Sequence, residues 1–312
     1  MAVSSQGGEL RIGMVGLDTS HVSVFSKIFN DPANKDHVPG GKVVAAFKGG
    51  SKDISSSWSR LEGYTKELQE KHGVRIYDSI EELCRNVDVV MIESVDGRPH
   101  LEQAKIVFKA HKPVFIDKPL GGSLRDALEI RRLAREANVP CFSSSSLRFY
   151  PTLLELKKSS FGELKGALST GPCSLEEHHP DLYWYGVHPT EALYTIMGTG
   201  CETVSRVNTP DTDVVIGVWP GGKVGEVRGI RNGSAPYRVT VFGTKAVIDQ
   251  KAGGVSYAAM AGEMMKFFQT SVAPVPLDET IEIMAFMEAA DESKRQGGRA
   301  VKISDVLKKN RG

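Results

Sequence analysis

Between Arg11 and Ser143 the chain alternates short, continuously apolar runs with longer stretches whose apolar residues recur every three to four positions. The short runs predict strands at Arg11–Val15, Val43–Phe47, Arg75–Tyr77, Val87–Glu93, Val114–Asp117 and Pro140–Ser143. The stretches between them predict helices at Ser20–Asn30, Trp58–His72, Ser79–Arg85, Pro99–Ala110 and Ser123–Ala137. Two of these carry start signals: Asp78-Ser79 before Ile80-Glu81-Glu82, and Ser123 three residues before Asp126. A run such as Val87-Asp88-Val89-Val90-Met91-Ile92 has no face suited to water, so the alternation predicts a doubly wound parallel sheet covered on both sides. Ligands of such sheets bind at the carboxyl ends of the strands.

The pattern changes after Ser143. Ser143–Ser146 is polar, and Arg148-Phe149-Tyr150-Pro151 leads into a short helix. Longer alternating segments follow at Lys165–Thr170, Thr203–Asn208, Asp213–Trp219, Lys223–Ile230, Tyr237–Phe242 and Ala246–Asp249. Turn signals at Pro220-Gly221-Gly222 and Asn232-Gly233 predict a mainly antiparallel sheet. Helical patterns at Pro189–Met197, Gly262–Ser271 and Leu277–Gln296 would cover one of its faces. The fold class is therefore α/β, with a Rossmann-type domain over residues 1–146 and an α+β domain over 147–312.

Composition narrows the partners more than the fold. A net charge of +1 over 312 residues gives no general attraction to nucleic acid or to an anionic membrane, so a small molecule is the expected partner. Met1–Gly8 is polar and reads as neither a signal peptide nor an anchor, and no run approaches a membrane span. Cys84, Cys141, Cys173 and Cys201 are scattered without CxxC pairing, which suits reduced thiols in a cytoplasmic protein.

Three places carry candidate chemistry. The first is Leu10–His21, a strand, a turn at Gly16 and a polar helix start, which reads Gly16-Leu17-Asp18-Thr19-Ser20-His21 where a dinucleotide fingerprint reads Gly-x-Gly-x-x-Gly. Asp18 would repel a diphosphate unless it turned away, for instance to cap Thr19, Ser20 or His21. The second is Lys118, fixed by Pro119 just past a buried strand; it is either a proton-handling group or a surface lysine at a strand end. The third is Asp181–Met197, where His188 precedes Pro189 and shares a helix face with Glu191. At a domain interface that pair could hold a substrate and move a proton; a cap or packing role is the simpler alternative. Glu176, Glu177, His178, His179 and Asp181 add ligand-type side chains, but their spacing matches no standard metal site and none is expected. A metal-dependent lyase or isomerase using His178, His179, Asp181 and His188 would be the reading if one were found.

From Arg11 to about Leu307 these pieces resemble the glucose-fructose oxidoreductase, inositol dehydrogenase and MocA family of NAD(P)-dependent oxidoreductases. The resemblance rests on Val95-Asp96-Gly97-Arg98-Pro99-His100, His111-Lys112-Pro113-Val114, Asp117-Lys118-Pro119-Leu120, Ser145-Ser146-Leu147-Arg148-Phe149-Tyr150-Pro151, and Gly186-Val187-His188 with Glu191-Ala192-Leu193. Order and spacing agree throughout. The resemblance implies oxidation of a sugar or polyol hydroxyl with hydride passing to nicotinamide, with Lys118, His188 and Glu191 as catalytic candidates. It implies cofactor contacts at Gly16, Asp18, Thr19, Ser20, His21, Lys48, Ser94, His100, Lys118 and Arg148, and self-association into a homodimer or homotetramer.

Three positions depart from the family pattern. Trp184 stands where many members carry an Asp four residues before the histidine. Phe47-Lys48-Gly49-Gly50-Ser51-Lys52 replaces the acidic residue that holds the adenosine ribose, which favours NADP over NAD. Asp18 and His21 replace glycine-type positions, which opens the alternative of a member with lost or remodelled cofactor binding that acts as a small-ligand or scaffold protein.

Overall fold

The computed structural model describes residues 8–253 and 256–310. Most of the N-terminal segment read as neither signal nor anchor, up to Gly7, lies outside the described residues. No helix among the described residues is long and apolar enough to cross a membrane.

In chain order the first half runs β1 (Leu10–Val15), α1 (Ser20–Asn30), β2 (Gly41–Phe47), α2 (Ser55–Trp58), α3 (Leu61–His72), β3 (Arg75–Tyr77), α4 (Ile80–Arg85), β4 (Val89–Ile92), α5 (His100–Lys109), β5 (Val114–Ile116), α6 (Leu124–Glu136) and β6 (Cys141–Ser143). The second half runs α7 (Pro151–Lys157), β7 (Leu164–Pro172), α8 (Asp181–Trp184), α9 (Val187–Met197), β8 (Thr203–Asn208), β9 (Thr212–Trp219), β10 (Lys223–Ile230), β11 (Arg238–Gly243), β12 (Val247–Asp249), α10 (Ala258–Thr270), α11 (Leu277–Arg295), β13 (Val301–Lys302) and α12 (Ile303–Asn310). Two compact units form. One draws on Met1–Gly122, Glu129–Ser144 and Ser256–Leu277, the other on Ser123–Leu128, Ser145–Val255 and Asp278–Gly312.

The first unit holds a six-stranded parallel sheet in the order β3-β2-β1-β4-β5-β6. Its central strands are fully buried, as their two-faced apolar sequences require: Val89, Val90, Met91, Ile92, Val114, Phe115 and Ile116 are all inaccessible to solvent. Ser79 caps α4 by accepting a hydrogen bond from the Glu82 amide. The strand order reverses between β1 and β4, which opens a crevice at their carboxyl ends.

The helix expected over Trp58–His72 starts later, as α3 at Leu61, and Trp58 instead ends the separate short helix α2. The cause is polar: Ser57 Oγ accepts from the Ser51 amide and donates to Asp18, so this turn is placed by hydrogen bonds that apolar periodicity does not register.

The second unit holds a seven-stranded sheet in the order β12-β11-β7-β10-β9-β8-β13. Pro220-Gly221-Gly222 does join an antiparallel hairpin, β9–β10. Asn232-Gly233 does not: β10 and β11 each pair with β7, and the β7–β10 pair is parallel. Helix α9 packs on β7 and β10, with all but His188 of its residues buried. Ser123 caps α6: its hydroxyl accepts from the Asp126 amide at 3.1 Å and donates to the Asp126 carboxylate at 2.8 Å.

Beneath this sheet lies a buried ionic cluster. Strand β8 turns Val204 and Arg206 inward, and the Arg206 guanidinium, wholly inaccessible, meets Asp213 at 2.8 Å, Asp181 at 3.0 Å and Asp291. Arg231 also pairs with Asp213, and Lys294 reaches Asp181 at 2.6 Å. Asp181, a candidate metal ligand by sequence, is thus a counter-ion of Arg206 and Lys294.

Candidate functional site

The β1–α1 turn is built on Gly16, whose φ of +88° suits glycine. A Cβ there would lie 2.2 Å from Ser94 Oγ and 2.5 Å from the Ser94 amide nitrogen, so the turn is pressed directly against the end of β4. The amides of Gly16 and Leu17 donate to Phe47 and Lys48 carbonyls, which joins the turn to the loop after β2.

Asp18 is fully buried and faces away from the helix start. Its carboxylate accepts from Ser57 Oγ at 2.5 Å and from the Val95 amide at 2.9 Å. Burial raises its pKa, and those two hydrogen bonds offset part of the rise. Capping falls to Thr19 instead, whose hydroxyl accepts from the His21 amide.

His21 is the centre of the site. From the first turn of α1 its Nδ1 lies 2.7 Å from Asp117 Oδ2, just after β5, and 3.7 Å from Glu93 Oε2, just after β4. On its other side, Nε2 lies 3.3 Å from the Tyr257 hydroxyl. Burial alone would push this ring's pKa down; the Asp117 carboxylate, by charge and hydrogen bond, and then Glu93 outweigh it and lift it to about 9. Burial first, and then the Asp117 and Asp18 charges, raise Glu93 against the pull of His21; burial works to raise Asp117 too, but His21 and Lys118 hold it below the usual carboxylate range.

A raised histidine stabilises the fold fully below its unfolded pKa of about 6.5 and loses that contribution as pH rises through about 9. A raised carboxyl group adds a slope of the same sign. Stability measured by chemical unfolding is therefore expected to fall between pH 6.5 and 9, with His21→Gln flattening the profile; an unchanged slope in that variant would mean that another group sets it.

Around this centre the other strand ends are densely bonded. Ser94 Oγ and Gln103 share hydrogen bonds, and the buried His100 ring lies 2.9 Å from both the Ser94 and Pro119 carbonyls. Burial holds His100 below its ordinary pKa, so the neutral ring donates to one carbonyl at a time, which is a framework role. Ser51 donates to Asp96 at 2.5 Å, and Arg98 spans Asp96 and Asp53, tying the loop after β2 to the loop after β4. Lys48 pairs with Glu62. Lys118, 8% exposed, donates its amide to Asp117 Oδ1; burial holds its ammonium below the ordinary lysine pKa, against the pull of Asp117.

A dinucleotide needs two things at this turn: a backbone that can approach without a side chain, and a helix start not faced by a bare carboxylate. Gly16 meets the first and the rotation of Asp18 meets the second, so the turn fits the group. Glu93 and Asp117 are acidic groups that a dinucleotide does not require. Sequence reasoning passed over both as site residues, and over Tyr257; the available signal was a carboxylate closing each of two otherwise apolar strands.

In the second unit, His188 Nδ1 lies 2.7 Å from Ser145 Oγ, with the rings of Tyr185 and Tyr237 at 5.5 and 5.8 Å. Glu191 pairs with Arg148 at 2.5 Å, and Glu279 meets the same guanidinium at 2.7 Å. Arg148, expected at the cofactor, is thus already engaged by two carboxylates. His178 bonds Glu176 at 2.7 Å, while His179 packs against the buried Trp184.

Comparison with known proteins agrees with this architecture. Residues 10–145 match a family model described as an oxidoreductase family with an NAD-binding Rossmann fold. A trans-1,2-dihydrobenzene-1,2-diol dehydrogenase of Danio rerio is 29% identical over 109 residues, 33% of this chain and 32% of the relative, so the match spans about a third of that protein. The structure of scyllo-inositol dehydrogenase from Lactobacillus casei with NAD(H) and scyllo-inositol superposes with a TM-score of 0.73 at 14% identity, covering 95% of this chain and all of that one. Myo-inositol 2-dehydrogenase from Lactobacillus plantarum gives 0.76 at 16% identity, with 95% and 99% covered. At such identities the two structures establish the fold. Over residues 10–145 the chain is thus similar to that NAD-binding oxidoreductase family, and over nearly its whole length it has the fold of the two inositol dehydrogenases.

Proposed function

We propose that the protein is an NAD(P)-dependent oxidoreductase that transfers hydride between nicotinamide and a sugar, polyol or related hydroxy compound. The observation that carries this reading is Lys118, buried at the carboxyl end of β5 with its pKa held low in a fold that binds ligands there. Gly16, Thr19 and Ser20 would hold the diphosphate at the start of α1. A bound nicotinamide supplies the hydride acceptor; what the protein must add is position and control of one proton. A desolvated lysine exchanges a proton nearer neutrality than a surface one, and His188, steered by Ser145, is the second proton-handling group. Glu191 serves by fixing Arg148. NADP is favoured because the Lys48–Glu62 pair is exposed and weak enough for a 2′-phosphate to displace Glu62. Self-association uses the open face of the second sheet, where Ile216, Val224, Phe242 and Val247 are exposed. Reduction of NAD or NADP over a panel of polyols, sugars and hydroxy acids tests the reading; a panel with no turnover counts against it.

A second reading, a member with remodelled cofactor binding, is favoured by the Asp18–Ser57 bond that fastens α2 to the turn. Asp18→Gly separates the two. If the turn already accepts a dinucleotide, the variant binds NADPH no more tightly than wild type and loses stability, because Ser57 and the Val95 amide lose their acceptor. A large gain in affinity supports a blocked site.

A further inference from the structure

We infer that His21, Glu93 and Asp117 form a binding site for one divalent first-row metal ion of the Mn2+ or Zn2+ type. The three side chains come from three elements, the start of α1 and the ends of β4 and β5, and converge where the strand order reverses. Their ligand atoms all lie within 4.8 Å of one another. His21 Nδ1 stands 2.7 Å from Asp117 and 3.7 Å from Glu93, a spread that brackets the roughly 3.0–3.4 Å between ligands bound at ~2.1 Å to one ion.

A second observation points to a cation independently of this spacing. The Glu93 side chain is completely buried, and neither of its carboxylate oxygens has a hydrogen-bond partner. A buried carboxyl group without a hydrogen-bond partner is costly, and the His21 Nδ1 beside it stands at 3.7 Å, beyond hydrogen-bond reach. An ion between Glu93, Asp117 and a neutral imidazole supplies the missing contact and balances both negative charges. The far ring nitrogen of His21 meets the Tyr257 hydroxyl, the kind of outer contact that fixes a ligating ring.

One imidazole and two carboxylates suit Mn2+ or Zn2+ better than Mg2+ or Ca2+, which take oxygen alone. Three protein ligands leave positions open for water or for an oxygen of a bound anion. The site would thereby make an acidic strand edge receptive to negative charge, which explains why His21 and Glu93 occur together beside the turn.

The test uses chelator-stripped full-length protein with no nicotinamide present. Mn2+ alone is titrated and followed by loss of the free-ion paramagnetic resonance signal and by calorimetry. One equivalent is expected in wild type, with a rise in Tm. Glu93→Gln keeps the shape and removes the charge; it is expected to weaken binding by at least ~10-fold while its metal-free Tm equals or exceeds that of wild type. If Glu93→Gln fails to fold, His21→Gln is the replacement, with the same loss of affinity expected. Because Glu176, Glu177 and His178 form a second, more exposed group, His178→Ala is the control and should leave binding unchanged. Absence of binding in wild type, undiminished binding in the site variant, or loss confined to His178→Ala would each overturn the proposal.

Discussion

Lys118→Ala is expected to abolish turnover while leaving the first unit folded. The side chain is buried at the end of β5, where burial already works against its charge, so its removal eliminates a desolvated ammonium without opening the sheet. Loss of a positioned proton-transfer group lowers rates by roughly 10²–10⁴-fold. A change of that size in kcat, with thermal unfolding close to wild type, is the expected result. Lys118→Arg should not restore the rate, because guanidinium stays charged and cannot exchange a proton near neutrality. A Lys118→Ala variant within tenfold of wild type would remove this residue from the mechanism.

The largest expected loss of stability lies elsewhere, at Arg206. Its guanidinium is shared among Asp181, Asp213 and Asp291 with no access to water. Arg206→Ala removes the cation shared by all three carboxylates and leaves partners such as Arg231 and Asn208 for Asp213 and Lys294 for Asp181. Breaking a buried ion pair from one side costs about 3–5 kcal/mol, because the stranded charge remains desolvated. Denaturant unfolding of the variant should show a loss of that order. Asp291, already pushed up to about 7 by burial, would then be held neutral at higher pH still. A loss below ~1 kcal/mol would mean that the cluster relaxes or admits water.

The sequence made the sheets legible because burial of strands is written in apolar runs and alternation. Arg75–Tyr77, Thr203–Asn208 and Lys223–Ile230 coincide with their strands, the other expected strands differ by one or two residues at one or both ends, and the two-residue β13 was not expected. Features set by polar contacts over long separations were not legible. Ser57 breaks a helical stretch to meet Asp18, 39 residues earlier. Asp18 meets the Val95 amide 77 residues on, and His21 reaches Asp117 and Tyr257 across 96 and 236 residues. The need for Asp18 to turn away followed from charge alone, but its partners did not. Likewise Arg206 sits in the inward register of an alternating strand, yet its three counter-ions come from separate elements.

Titration of wild-type protein with NADH and NADPH decides whether the β1–α1 turn accepts a nicotinamide dinucleotide despite Asp18 and His21. Saturable binding at one site per chain, with a Kd well below about 1 mM and NADPH at least as tight as NADH, is the predicted result. Failure of both to saturate at millimolar concentration would contradict it.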